Sequence, residues 1–323
     1  MSDTPLLEVK GLTKHFVISR DMRGRPAEIL HAVDNVSFAV APGEVFGLVG
    51  ESGCGKTTIG KMICGMLEPT SGEIWFDGRN ITNASAAERK RLATQIQFIF
   101  QDPYGSLNPR MTVRQALAEP LIINKLEPRD RVDARVDELL DYVGLSKQHK
   151  ERYPHEFSGG QRQRIGIARA LALKPRFLVC DEPVSALDVS VQAQVLNLLS
   201  DLKDELGLTY IFIAHGLNVI QHLSDRVAVM YLGRMMELAP KSEIYSGALC
   251  PYTRVLISAI PIPDPEAPRG RIIPKGDMPS PINPPPGCRF AGRCYMAGPE
   301  CTKTEPELRK RGPGHYAACL FNV

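Results

Sequence analysis

Nine consecutive residues, Gly50-Glu51-Ser52-Gly53-Cys54-Gly55-Lys56-Thr57-Thr58, contain the spacing G-x-x-x-x-G-K-[ST]. Glycine at those positions lets backbone N–H groups close around a polyphosphate where a side chain would clash. The apolar run Val45-Phe46-Gly47-Leu48-Val49 precedes the loop, and a helical stretch from Thr57 to Leu67 follows it. That strand–loop–helix setting gives the spacing its meaning. The helix start adds a positive end. Lys56 then reaches the β- and γ-phosphates, and the Thr57 hydroxyl ligates Mg²⁺. A mere glycine turn with a solvated lysine does not require all these positions to agree. The loop reads as a nucleotide cradle contacted by Gly50, Ser52, Gly53, Cys54, Gly55, Lys56, Thr57 and Thr58.

A second reactive pair lies downstream. Asp181 and Glu182 end the apolar strand Phe177-Leu178-Val179-Cys180. A carboxylate at Asp181 can hold Mg²⁺, and Glu182 beside it can polarise an attacking water. Asp-Glu after a strand is commonly a solvated turn. Its company with the loop at 50–58 favours chemistry.

Cys288, Cys294, Cys301 and Cys319 form a third group, separated by five, six and seventeen residues. They sit among Gly287, Gly292, Gly298, Pro299 and Gly314, with little apolar material. Such a segment needs a metal or cross-links to hold a shape. Four thiolates suit zinc or an iron–sulfur cluster. The gaps are wider than ordinary zinc spacing and miss the common ferredoxin patterns. Cys54, Cys64, Cys180 and Cys250 are explained by small-apolar packing.

The elements that must carry these groups can be read along the chain. Leu6 to Val9 and Val33 to Val40 read as strands, with Val36, Phe38 and Val40 turned inward. Ser19 to Glu28 reads as an exposed hairpin insertion. Gly72 to Gly78 is a short strand closing in an Asp-Gly turn. Helix is expected over 84–93 and a buried strand over Ile96 to Phe100, ending on Gln101. The turn-rich run Asp102 to Pro109 leads into helices over Thr112–Leu121 and Val132–Val143, with Gly144 as the stop. Ser158 opens a helix running through Leu171. Val195, Leu198, Leu199, Leu202 and Leu206 give one face of a helix that ends at Gly207. Buried strands follow over Tyr210–Ala214, ending at His215, and over Val227–Tyr231. Strands alternating with helices imply an α/β fold with a mostly parallel sheet and an inserted helical subdomain over about 102–165. The N-terminal strands and the Ile74 strand fit an antiparallel addition. Ten of the 26 prolines fall between Pro261 and Pro286, where regular helix or central strand is excluded. The domains are therefore 1–249 and an extension over 250–323.

Composition narrows the classes. The chain has 323 residues, 43% apolar and 23% charged, as a globular protein does. A net charge of +3 is too small to make nucleic acid its main partner. No apolar run reaches eighteen residues and no export signal opens the chain, so a cytosolic protein is expected, its eight cysteines thiols or metal ligands rather than disulfides.

In order along the chain stand the loop at 50–58, Gln101, Ser158-Gly159-Gly160-Gln161, Phe177 to Glu182, Ser185-Ala186-Leu187-Asp188 and His215. This order resembles the ATPase subunits of ABC transporters, a P-loop NTPase family. The runs Phe100 to Arg110, Arg152 to Phe157, Pro251-Tyr252-Thr253 and Ser280 to Pro284 resemble the dipeptide and oligopeptide importer branch, which also holds nickel importers. The resemblance implies ATP and Mg²⁺ as cofactors, with Mg²⁺ at Thr57, Gln101 and Asp181. Glu182 becomes the general base, and His215 the switch residue on the γ-phosphate. Phe16 becomes the adenine platform. Ser158, Gly159, Gly160 and Gln161 form a second helix start that donates N–H groups to the γ-phosphate of another subunit, in a head-to-tail dimer crossed by the Asp188 loop. A [4Fe–4S] cluster is the implied occupant of the four-cysteine tail, with zinc the alternative. The implied partners are a paralogous ATPase, two permease subunits and an extracytoplasmic solute-binding protein, with the chain peripheral on the cytoplasmic face of the cell membrane. The family usually carries Asp after the switch histidine; here it is Gly216. Runner-up functions are a nickel or other small-solute importer of this branch, a soluble ABC ATPase on ribosomes or DNA, and a redox-sensing subunit.

Overall fold

The computed structural model describes residues 4–261 and 270–321. The expectation of irregular chain from Pro261 to Pro286 lies partly outside the described residues. The described part carries no helix or strand beyond a single bridge at Ile282.

In chain order the elements begin with β1 (Leu7–Arg20), β2 (Pro26–Val40), β3 (Val45–Val49) and α1 (Lys56–Ile63). Then come β4 (Ser71–Phe76), β5 (Arg79–Asn80), α2 (Ala86–Gln95), β6 (Ile96–Ile99) and α3 (Pro103–Ser106). The central helices are α4 (Val113–Ile123), α5 (Val132–Tyr142) and α6 (Gly159–Leu171). After them run β7 (Phe177–Asp181), α7 (Val189–Leu206), β8 (Thr209–Ala214), α8 (Leu217–Ile220), β9 (Arg226–Tyr231) and β10 (Arg234–Pro240). The chain closes with α9 (Lys241–Gly247), α10 (Pro251–Ser258), β11 (Arg309–Gly312) and β12 (His315–Ala317). Among the described residues no helix is long and apolar enough to cross a membrane.

Two compact units emerge: Met1–Ala41, Val45–Asn83 and Ile213–Val323 form one, and Pro42–Glu44 with Ala84–Phe212 form the other. In the first, β2-β1-β4-β5 make an antiparallel sheet of their own rather than strands added to a parallel one. Leu7 pairs with Val40 on one side and Phe76 on the other. The predicted insertion at Ser19–Glu28 is the outer end of the same hairpin, turning at residues 21–25. Both of its faces are polar and exposed, so no alternation marked it as strand. The edge of β2 is covered by the extension: His31 N–H donates to Pro281 O, and Ile29 N–H to Asn283 Oδ1. In the same unit β3 runs parallel to β9, and β9-β10-β12-β11 continue antiparallel.

The second unit pairs β6 parallel with β7, and β8 lies beside β7. Beside them α4, α5 and α6 bury Leu117, Val136, Leu139, Leu140 and Ile165. Each such fully buried aliphatic side chain contributes roughly 1.5–3 kcal/mol. Gly144 and Gly207 end α5 and α7 in the left-handed region, as expected. β6 stops one residue early, leaving Phe100 exposed.

β10, β11 and β12 were not foreseen. One buried acid fastens them. Glu237 on β10 is fully buried; its Oε1 accepts from Leu249 N–H at 2.7 Å and its Oε2 from Cys250 N–H at 3.0 Å. His315 Nε2 of β12 lies 2.7 Å from Oε1. Glu237 thus holds the start of α10 and the returning strand together. Removing it orphans three buried groups. Glu237→Ala is expected to destabilise the protein by about 3 kcal/mol, read as a lowered melting temperature at unchanged far-UV signal in the cold.

Candidate nucleotide site

The loop grows out of β3, all five of whose residues are buried. Gly50 and Gly55 hold φ of 154° and 104°. A Cβ on Gly50 would sit 2.2 Å from Met230 O, and one on Gly55 would sit 2.1 Å from Ala32 O. Only glycine lets the chain turn there. α1 starts at Lys56, directly after the loop, with no side-chain cap. Lys56 is 4% exposed, and its Nζ donates to Gly50 O at 2.6 Å and Glu51 O at 3.2 Å. Burial pushes the Cys54 thiol up from its ordinary range despite Lys56 nearby. Ser52 and Gly53 are exposed at the tip, while Thr57 and Thr58 are half-buried on the first turn of α1.

Two tethers on this loop were missed in the sequence. Glu51 N–H donates to Tyr252 Oη at 3.2 Å. Arg293 Nη1 donates to both oxygens of Glu51, at 3.0 and 2.8 Å. Neither leaves a local sequence signal, because the partners lie 201 and 242 residues away.

In the same unit Phe16 is a half-buried residue of β1, with the Lys14 ammonium 5.1 Å from its ring centroid. His215 is exposed at the end of β8, and Gly216 after it precedes α8 in extended conformation. The space a Cβ on Gly216 would need is taken by Asn218 Oδ1, at 2.6 Å.

The second unit gathers the acidic strand end. Asp181 is buried at the close of β7. Glu182 follows with φ of 45°, a left-handed conformation that a glutamate holds only where its surroundings fix it. Gln101 Nε2 donates to Glu182 Oε2 at 2.9 Å and lies 3.3 Å from Ser185 Oγ. Ser185 Oγ in turn donates to Glu182 O at 3.0 Å. Ser185 was seen in the sequence but given no role. Ser158 and Gln161 cap α6 reciprocally: Gln161 N–H donates to Ser158 Oγ at 3.3 Å, and Ser158 N–H to Gln161 Oε1 at 3.0 Å. Ser158 and Gly159 are exposed there, and Gly160 is buried. Asp188 precedes α7, exposed.

The four tail cysteines line one small cavity together with Cys250 and Phe290. Burial, with the other three sulfurs adding to it, pushes the Cys288 thiol up to about 11. Among the described residues, no three of these sulfurs lie all within 4.8 Å of one another. His15, His31 and Asp34 do converge within that limit. Asp34 is already committed, however: Arg289 and Arg234 both pair with its carboxylate. Burial opposes its ionisation, but Arg234, His31 and Arg289 outweigh that and hold it below the usual range.

An ABC transporter family model matches residues 33–185, and a model of the oligopeptide/dipeptide transporter C-terminal region matches residues 236–301. A putative peptide import ATP-binding protein of Brucella ovis is 53% identical over 99% of both chains. The oligopeptide transport ATP-binding protein OppF of Salmonella typhimurium is 49% identical over 98% of this chain and 96% of its own. Among solved structures, a dimeric ATP-binding cassette in a post-hydrolysis state bound to ADP and Pi superposes with a TM-score of 0.65. It is 28% identical and covers 73% of this chain and 98% of its own. CbiO1 of Clostridium perfringens gives 0.65 at 30% identity, over 75% and 91%.

Gly55→Ala, by the clash and the strain of about 1–3 kcal/mol, is expected to weaken nucleotide binding some tenfold to hundredfold, measured by titration with a fluorescent ATP analogue. On the strength of these matches and of the loop itself, the chain belongs to the ATP-hydrolysing ABC subunits of the peptide-importer family.

Proposed function

We propose that this chain couples ATP hydrolysis to the uptake of di- or oligopeptides through a membrane permease. The observation that carries the reading is the phosphate loop, held open by Gly50 and Gly55 and backed by buried Lys56. The match of residues 236–301 to the oligopeptide/dipeptide C-terminal region supports peptide as cargo. The relatives described above are peptide transporters by name, which favours peptide over nickel.

In this reading Phe16 stacks on adenine, and the amides of 50–58 and α1 hold the phosphates. Lys56 spans the β- and γ-phosphates. Thr57, Gln101 and Asp181 would hold Mg²⁺, which would supply charge neutralisation at the phosphates. Glu182 accepts a proton from water as the water oxygen bonds to the γ-phosphorus and the bond to the β-phosphate oxygen breaks. Gln101, bonded to its carboxylate, orients that base. His215 contacts the γ-phosphate. The helix start at Ser158, Gly159, Gly160 and Gln161 completes the site of a second ATPase, with Asp188 at the same interface. That second subunit is a paralogue in a head-to-tail dimer, set on two permease subunits at the cytoplasmic face of the cell membrane. A solute-binding protein delivers the peptide. The division into 1–249, with its helical part at 102–165, and 250–323 follows this scheme.

Four thiols around one cavity support a thiolate-bound metal group in the extension. In this reading Cys288, Cys294, Cys301 and Cys319 would be the ligands of a [4Fe–4S] cluster, with zinc the alternative. Such a cluster would supply a structural cross-link or a redox-sensitive one.

Glu182→Gln is expected to cut turnover by about a hundredfold or more while retaining ATP, and to accumulate as an ATP-bound dimer with its partner on size exclusion. Undiminished hydrolysis would remove Glu182 from the role of base. Anaerobic preparation should yield about four irons per chain, lost in Cys294→Ser; one zinc and no iron would overturn the cluster.

A further inference from the structure

The extension reaches the phosphate loop through two side chains, Tyr252 and Arg293. Arg293 closes a short turn, with its N–H donating to Phe290 O at 2.9 Å and Cys294 directly after it. Its Nη1 bridges both oxygens of Glu51, the second residue of the loop, and lies 3.3 Å from Tyr231 Oη. The pair is poorly hydrated, with side chains 13% and 23% exposed. Beneath it Tyr231, Tyr252 and Phe290 pack ring against ring at 4.7 to 5.3 Å, and Arg293 lies over two of them. Tyr252 also takes the Glu51 N–H. The residue that opens the loop after Gly50 is therefore gripped at its amide by Tyr252 and at its carboxylate by Arg293, both from the extension.

We propose that Arg293 is a positioning residue for the nucleotide, bracing the phosphate loop through Glu51. The proposal rests on the reading that the loop at 50–58 binds ATP. A low-dielectric ion pair with two hydrogen bonds is strong enough to fix a loop whose tip is exposed. Without it, the loop must be ordered at the moment the phosphates bind, and affinity falls. Because a single nitrogen spans both oxygens, a lysine ammonium can stand in for the guanidinium. Arg293 Nε is buried without a hydrogen-bond partner, so lysine forfeits nothing there.

The test is equilibrium titration with fluorescent ATP and ADP analogues, with steady-state hydrolysis and thermal melting alongside. The proteins are wild type, Arg293→Gln, Glu51→Gln, the double variant and Arg293→Lys. Arg293→Gln and Glu51→Gln should each weaken nucleotide binding about tenfold, the size expected of a partly buried charged hydrogen bond. KM for ATP should rise with kcat within twofold. The double variant should be no weaker than either single one, and Arg293→Lys should recover most of the affinity. Unchanged affinity in Arg293→Gln, or single effects that multiply in the double variant, would overturn the brace. If wild type itself binds no nucleotide, the reading of the loop fails, and the brace with it.

Discussion

Backbone N–H groups can hold a polyphosphate, as proposed for residues 50–58, only where the path of the chain is fixed beforehand. That constraint explains the surroundings of residues 50–58. β3 is buried along its whole length and launches the loop from a rigid position. The carbonyls of Met230 and Ala32 occupy the room that side chains at Gly50 and Gly55 would need. Lys56, pinned to two loop carbonyls, adds the cation the phosphates require without a search through rotamers. The C-terminal extension belongs to the same logic, since Arg289 fastens Asp34 on β2 and Arg293 fastens Glu51 on the loop.

The acidic strand end in the other unit obeys a related demand. A general base must be aimed, and Glu182, proposed for that role, is held by a left-handed backbone, by Gln101 and by the turn that Ser185 closes. Such strain is affordable only beside a stiff support, which fully buried β7 provides.

Much of this was legible in the sequence, for reasons that are local. The phosphate loop, the helix start at Ser158, the buried strand before Asp181 and the stops at Gly144 and Gly207 each depend on neighbours within a few residues. The outer half of the β1–β2 hairpin was not legible, because both of its faces meet water and the alternation that marks a strand is absent. β10 to β12 were hidden for another reason. Their pairing hangs on buried Glu237 and His315, two polar residues that sequence alone assigns to the surface. The ties of Arg289 and Arg293 span more than two hundred residues and leave no periodicity behind.

The central claim is that two helix starts, α1 of one subunit and α6 of another, hold one nucleotide between them. Its most direct measurement is photocleavage of the assembled transporter trapped with MgATP and orthovanadate, which takes the place of the γ-phosphate. Near-ultraviolet light then breaks the backbone next to the vanadate, and the breaks are mapped by mass spectrometry. The account predicts cleavage of this chain within 50–58 and also at Ser158 to Gln161. Cleavage confined to 50–58 would contradict it, since the second helix start would then stand away from the phosphate.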